Sequence, residues 1–165
     1  MVRKVFYSFH FANDFWRTQQ VRNMGSLEGQ PLCTPNAWEE VKKQGNDSIE
    51  RWIDANMKGK SCVVVLVGSE TASRPWVTRE IIKGWNAGKG VVGIRIHRLL
   101  NNEGKPSIMG GSPFENIDIG DTGKKLSSVV QLIDPPGVDS KAVYSSISNG
   151  IEGWIESAIL IRNRN

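Results

Sequence analysis

One carboxylate in the stretch SETASRPWVTREIIKGW, residues 69–85, stands where a surface helix would not ordinarily place it. Trp76, Val77, Ile81, Ile82 and Trp85 recur at roughly helical spacing, and Pro75 suits a first helical turn. At about 100° per residue, Glu80 projects between Trp76 and Val77, with Gly84 just beyond it. Arg79 and Lys83 occupy the polar face, whereas Glu80 borders the apolar one. A carboxylate beside a large aromatic and a valine acts through stronger electrostatics than one in bulk water, so it could stabilise developing positive charge. The same residue, three before Lys83, could instead form an i,i+3 ion pair and do no chemistry.

The elements that must position Glu80 alternate between strands and helices. KVFYSFH, residues 4–10, predicts a first strand, followed by a helix from about Asn13 to Asn23. The segment GSLEGQPLCTPNAWEEVKKQGN reads as loop-rich, with a short second strand near Pro31 to Thr34. Asp47 reads as an N-cap with Glu50 completing a capping box, and SIERWIDANM continues as a helix. SCVVVLVGS is the clearest strand, apolar and β-branched as a strand covered on both faces should be. The helix bearing Glu80 follows it, and GVVGIRIH is the next strand, ending at His97. Residues 101–125, rich in Gly, Pro and Asn, read as a long functional or mobile loop. SSVVQLID predicts a last strand and AVYSSISNGIEGWIESAILI a last helix interrupted by two glycines.

This alternation predicts an α/β layer fold with a mostly parallel sheet. Five strands suit the flavodoxin-like order 2-1-3-4-5, in one domain spanning residues 1–165 with helices on both faces. In such a sheet the ligand crevice lies beyond the carboxyl ends of strands 1 and 3, where the strand order reverses. SFHFAND after the first strand and the Glu80 helix after the third would meet there, with His97 on the same edge.

Composition narrows the function classes. An apolar fraction of 39% and a charged fraction of 23% fit a globular chain. The net charge of +4 comes from scattered basic residues that never form a run of five, so no nucleic-acid partner is expected. No stretch approaches the eighteen or so apolar residues a membrane span needs, and the N-terminus lacks a signal peptide's apolar region. The expected location is cytoplasmic, without membrane attachment. Cys33 and Cys62 form no CxxC pair, and the two histidines are too few for a metal site. KGKS at 58–61 has Asp54 where a phosphate loop needs glycine, and GxGxxG, HExxH and GxSxG are absent.

The ordered set VFYSF, CVVVLVGS and SxxxxxxWVTRE resembles TIR domains. A closer resemblance is to the TIR-like branch that includes the Thoeris antiphage subunit ThsB. The features that carry it are YSFH, VRN at 21–23, AWEEVKK at 37–43, GSETASRPWVTREI, and GGSPFENI at 110–117. The resemblance covers most of the chain to about residue 117 and weakens after it. Enzymes of that family cleave the nicotinamide–ribose bond of NAD+, and by resemblance the catalytic glutamate is Glu80. NAD+ is then the substrate, with no cofactor. The resemblance implies a product that is a cyclic or conjugated ADP-ribose derivative, reaching a separate effector by diffusion. Family members often complete their site across two subunits, which implies a homo-oligomer.

Breaking that bond builds oxocarbenium character at the ribose, which a carboxylate stabilises. Nicotinamide carries the positive charge and leaves neutral, so no second carboxyl is needed as an acid. Trp76, one turn before Glu80, could wall the pocket. Ser8 and His10 are candidate substrate contacts, although alternate strand positions could equally pack or face solvent. Phe9 is a pocket or core residue. Asp14 could bind substrate or cap the first helix, Trp38 could stack on a base or anchor its loop, and Asn116 completes the candidate set. His97 reads as a strand-end residue. Two rival readings are a non-catalytic TIR-like module that self-associates, and a nucleoside deoxyribosyltransferase-like enzyme that would ignore NAD+.

Overall fold

Short, largely apolar runs build the sheet of the computed structural model, which describes residues 2–165. CVVVLV forms β2 (Cys62–Val67), buried at every position. β1 (Val5–Ser8) lies on one side of it, and β3 (Gly90–Arg95) followed by β4 (Leu132–Ile133) on the other. All pairs are parallel, in the order β1-β2-β3-β4. Ser8 pairs with Val65 and Val67 with Arg95, so the carboxyl ends gather along one edge.

Among the described residues five α-helices cover the sheet: α1 (Phe11–Arg22), α2 (Pro35–Lys43), α3 (Asn46–Met57), α4 (Pro75–Asn86) and α5 (Ser140–Asn163). Strand alternation sends successive side chains to opposite faces. Val5, Tyr7, Val64, Leu66, Val92 and Ile94 pack with Val21 of α1 and with Ile147, Ile151 and Ile155 of α5. Phe6, Val63, Val65 and Val91 pack with Ile53 of α3 and with Ile81 and Trp85 of α4. Each such aliphatic side chain contributes about 1.5–3 kcal/mol when fully buried, so both helix layers are held by the sheet between them.

The fold class is the expected one, with four strands among the described residues rather than five. The segment expected as a strand at Pro31 to Thr34 is not one. Its place beside β1 is taken by a single parallel bridge, Lys4 to Glu28, and by the buried Gln30 amide. Gln30 Oε1 accepts from Tyr7 N at 2.8 Å and Gln30 Nε2 donates to Tyr7 O at 2.9 Å. One side chain thus satisfies the two backbone groups a further strand would have paired.

Other boundaries also differ. PNAWEEVKK is helical, with Thr34 Oγ1 accepting from Ala37 N at 3.2 Å and Pro35 at the first position. The Asp47–Glu50 capping box does not form. Gly45, at φ 97°, starts α3 instead, and Glu50 is drawn to Arg79 and Lys83 on α4 at 2.8 and 2.7 Å. The last strand is two residues long, and α5 runs unbroken through Gly150 and Gly153. Within 101–125, Phe114 and Ile117 are buried in the core.

Candidate active site

Glu80 owes its position to a close helix–sheet approach. The buried stripe of α4 is Val77, Glu80, Ile81, Gly84 and Trp85, a helical repeat aimed at the sheet. A β-carbon on Gly84 would lie 2.3 Å from Val63 Cγ2, so only glycine lets α4 settle this near to β2. The even-numbered face of β1 looks toward the same layer, and Ser8, its last residue, meets the helix there. Ser8 Oγ donates to Glu80 Oε1 at 2.6 Å. Glu80 is 6% exposed and Ser8 fully buried.

Burial pushes the Glu80 carboxyl up to about 8, while the Ser8 hydrogen bond favours the ionised form and opposes that rise. The ion pair with Lys83 does not form. Lys83 Nζ turns to Glu50 at 2.7 Å and Asp54 at 2.6 Å on α3. Among the described residues Glu80 therefore has no compensating cation, and a hydroxyl answers its charge.

The carboxyl forms part of the wall of a cavity of about 340 Å³ at the carboxyl edge of the sheet, a size at the lower end of ligand pockets. Phe9, His10, Trp38 and Trp76, all expected at the site, line it with Glu80. Phe9 stacks on Phe11 at 4.4 Å between ring centroids, and Phe11 on Trp38 at 5.0 Å. This aromatic wall is delivered by the turn after β1 (Phe9), the start of α1 (Phe11) and α2 (Trp38). The His10 ring contributes a buried Nδ1 without a hydrogen-bond partner. Burial, with Arg74 and Lys42 nearby, holds its pKa below the usual histidine value.

The other expected contacts fall elsewhere. Ser8 touches the carboxylate and is not part of the cavity lining, because strand alternation turns it inward under α4. Asp14 is fully buried and paired with Arg17 at 2.8 Å, with its carboxylate against Gly68 at the end of β2. It neither lines the cavity nor caps α1, whose N-cap is His10. Asn116 is an exposed turn residue outside the lining, since Phe114 and Ile117 anchor that turn on the core. His97 is buried two residues beyond β3, also outside it.

The lining residues that escaped the sequence reading include Phe11, Ala12, Pro35, Glu39, Lys42 and Arg74. Thr34-Pro35 is an N-cap followed by proline, which would have revealed α2 and with it Lys42. Arg74 stands just before Pro75 as the N-cap residue of α4, and nothing in its spacing marks it.

A parallel sheet between helix layers, with a glutamate-bearing cavity at its carboxyl edge, has the architecture of a TIR-like domain. Residues 6–101, more than half of the chain, match the family described as "Thoeris protein ThsB, TIR-like domain", and the chain belongs to that family. It is also similar to a Bacillus cereus (strain MSX-D12) protein named "Putative cyclic ADP-D-ribose synthase ThsB1". The two are 31% identical over 121 residues, covering 70% of this chain and 62% of the relative. The chain thus spans somewhat less than two thirds of that relative's length. Among the described residues, no helix is long and apolar enough to cross a membrane.

Proposed function

We propose that this chain is a TIR-like enzyme that cleaves the nicotinamide–ribose bond of NAD+. It yields an ADP-ribose-derived second messenger, cyclic or conjugated, for antiphage defence. The observation that carries the reading is a buried, unpaired Glu80 carboxyl, held by Ser8, beside an aromatic cavity of about 340 Å³. The name of the B. cereus relative supports the choice of substrate. In this reading residues 1–165 act as one TIR-like domain in the cytoplasm, and the messenger diffuses to a separate effector.

The ring of nicotinamide packs, in this reading, against the aromatic wall to which Phe11, Trp38 and Trp76 contribute, all of which line the cavity. Its positive charge favours the ionised form of Glu80, so binding the substrate draws the proton off the carboxyl. The C1′–N bond then breaks with its electron pair passing to the ring nitrogen, and nicotinamide leaves neutral. Positive charge develops at the ribose, where the Glu80 carboxylate stabilises it in a site of low dielectric. Water or another nucleophile completes the reaction at C1′. Ser8 acts as a positioning residue, orienting the carboxylate and favouring its charge.

A purely self-associating module would gain nothing from a buried carboxyl whose ionisation costs stability. The test is incubation of concentrated protein with NAD+, with and without lysate from phage-infected cells, followed by mass spectrometry. Nicotinamide release lost in Glu80→Gln supports the reading, and the mass of the partner product identifies the acceptor. Folded protein that releases none under either condition sinks it, and cleavage of deoxynucleosides alone would point to a deoxyribosyltransferase.

A further inference from the structure

The cavity that holds Glu80 carries a second, opposite pole. Lys42 near the end of α2 and Arg74 at the start of α4 both line it. Arg74 Nε is buried and has no hydrogen-bond partner. Among the described residues no carboxylate lies within ion-pair distance of the Arg74 guanidinium. A buried, unpaired guanidinium nitrogen is costly, because its lost hydration is not replaced. Such a group is explained by an anion that arrives from outside the chain.

Arg74 is not there to serve Glu80. Burial raises the pKa of that carboxyl and the Ser8 hydrogen bond lowers it, and among the described residues no ion pair joins it to the guanidinium. Six residues of helix separate the two, about 9 Å along the axis at 1.5 Å per residue. Their charges therefore sit in different parts of one cavity. Arg74 is the N-cap residue of α4, so the positive end of a twelve-residue helix adds to the same field. Lys42 contributes less, since its ammonium is already paired with Glu39 at 2.8 Å on the same rim.

We propose that Arg74, assisted by Lys42, is a clamp for the diphosphate of a dinucleotide whose glycosidic end lies at Glu80. The planar guanidinium suits two phosphate oxygens at once, which an ammonium in its place would not. The clamp gives the cavity its polarity: a cationic ring is directed to the carboxyl, and the anionic bridge to the arginine. It also explains how a small cavity selects a large substrate, by holding half of it and gripping the hinge. The assignment rests on the reading of this cavity as an NAD+ site.

The test is calorimetric titration of the full chain with ADP-ribose and, separately, with adenosine, which lacks the diphosphate. Wild-type protein is expected to bind ADP-ribose more tightly than adenosine. Arg74→Ala should weaken ADP-ribose binding by about tenfold or more, the worth of one charge-assisted hydrogen bond, and leave adenosine unaffected. Arg74→Lys should recover part of the loss, and Lys42→Ala should show a smaller one. Circular dichroism checks that each variant is folded, and Lys42→Ala, on the exposed rim, keeps the test open should Arg74→Ala unfold. Equal affinity of wild type for both probes, or ADP-ribose binding unchanged in both alanine variants, overturns the clamp. Nicotinamide release from NAD+ is followed in parallel. Binding that depends on Arg74 without release keeps the clamp and sinks the cleavage reading, whereas release indifferent to both variants sinks the clamp alone.

Discussion

Ser8 Oγ and Glu80 Oε1 lie 2.6 Å apart, tying the last residue of β1 to the second turn of α4 across 72 positions of sequence. The bond opposes the effect of burial, which pushes the carboxyl up to about 8. For an enzyme that needs the carboxylate, kcat/KM for NAD+ should therefore rise from pH 6 and level off above about pH 8, as free-enzyme Glu80 loses its proton. Ser8→Ala removes a donor that favours the charged form, so its inflection should move to higher pH and its activity at pH 7 should fall. Rate profiles of the two proteins between pH 5.5 and 9.5 (chosen to bracket the inflection, roughly) decide the matter. Superimposable profiles would remove this hydrogen bond from the chemistry.

Glu80→Gln should separate activity from stability. The amide keeps an oxygen for Ser8 and loses the charge, so turnover should drop by about a hundredfold or more. Folded Glu80 holds its proton to about pH 8, well above the ordinary carboxyl range of the unfolded chain. The folded state thus binds more protons between those limits, and stability from this group is full at low pH and lost as pH rises toward 8. The variant should consequently melt above the wild type at pH 8, with the gap closing near pH 4.5. Thermal melts at both pH values read this directly.

Trp38 joins the cavity wall to the core, stacked on Phe11 at 5.0 Å and set against Trp52 at 5.1 Å. Trp38→Ala should cost about 3–5 kcal/mol of stability, as buried large-to-small changes do. Trp38→Phe keeps an aromatic face and should fold nearly as well while raising KM for NAD+ severalfold. Urea denaturation and substrate titration of the two variants separate support from binding.

The Asp14–Arg17 pair should prove structural. Arg17 donates to Asp14 Oδ1 at 2.8 Å, to Leu99 O at 2.7 Å and to Lys105 O at 2.9 Å, so it fastens the segment after β3 to α1. Even with that partner, burial holds the Asp14 carboxyl above its usual value. Arg17→Met strands a buried acid and should cost about 3–5 kcal/mol, of which Asp14→Asn in the same chain should restore part. Denaturation midpoints of the single and double variants check it.

The parts of this fold that declared themselves in sequence are those where one physical demand dominates. CVVVLV can only be a strand buried on both faces, and the spacing of Val77, Ile81 and Trp85 can only be one side of a helix. Glu80 stood out because it broke that spacing. The strand expected beside β1 was not there to be found, since a Gln30 side chain does its work and leaves no alternating pattern. PNAWEEVKK looked like a loop because its charges hid a cap at Thr34. Lys42 and Arg74 were indistinguishable from solvated surface charge, because only folding brings α2 and the start of α4 to one cavity.

The Gln30 amide at the free side of β1 also bears on how this architecture can diversify. A strand ladder ties many consecutive residues to a fixed alternation, whereas a single amide asks for one residue in one place. The few residues between Gln30 and Thr34 can accordingly gain or lose members without disturbing the sheet. Those residues set where α2 begins, and α2 carries Trp38 and Lys42 to the cavity. Insertions and deletions there would retune what the cavity accepts while Ser8 and Glu80 stay in place, so selectivity and chemistry can evolve on separate pieces of the chain.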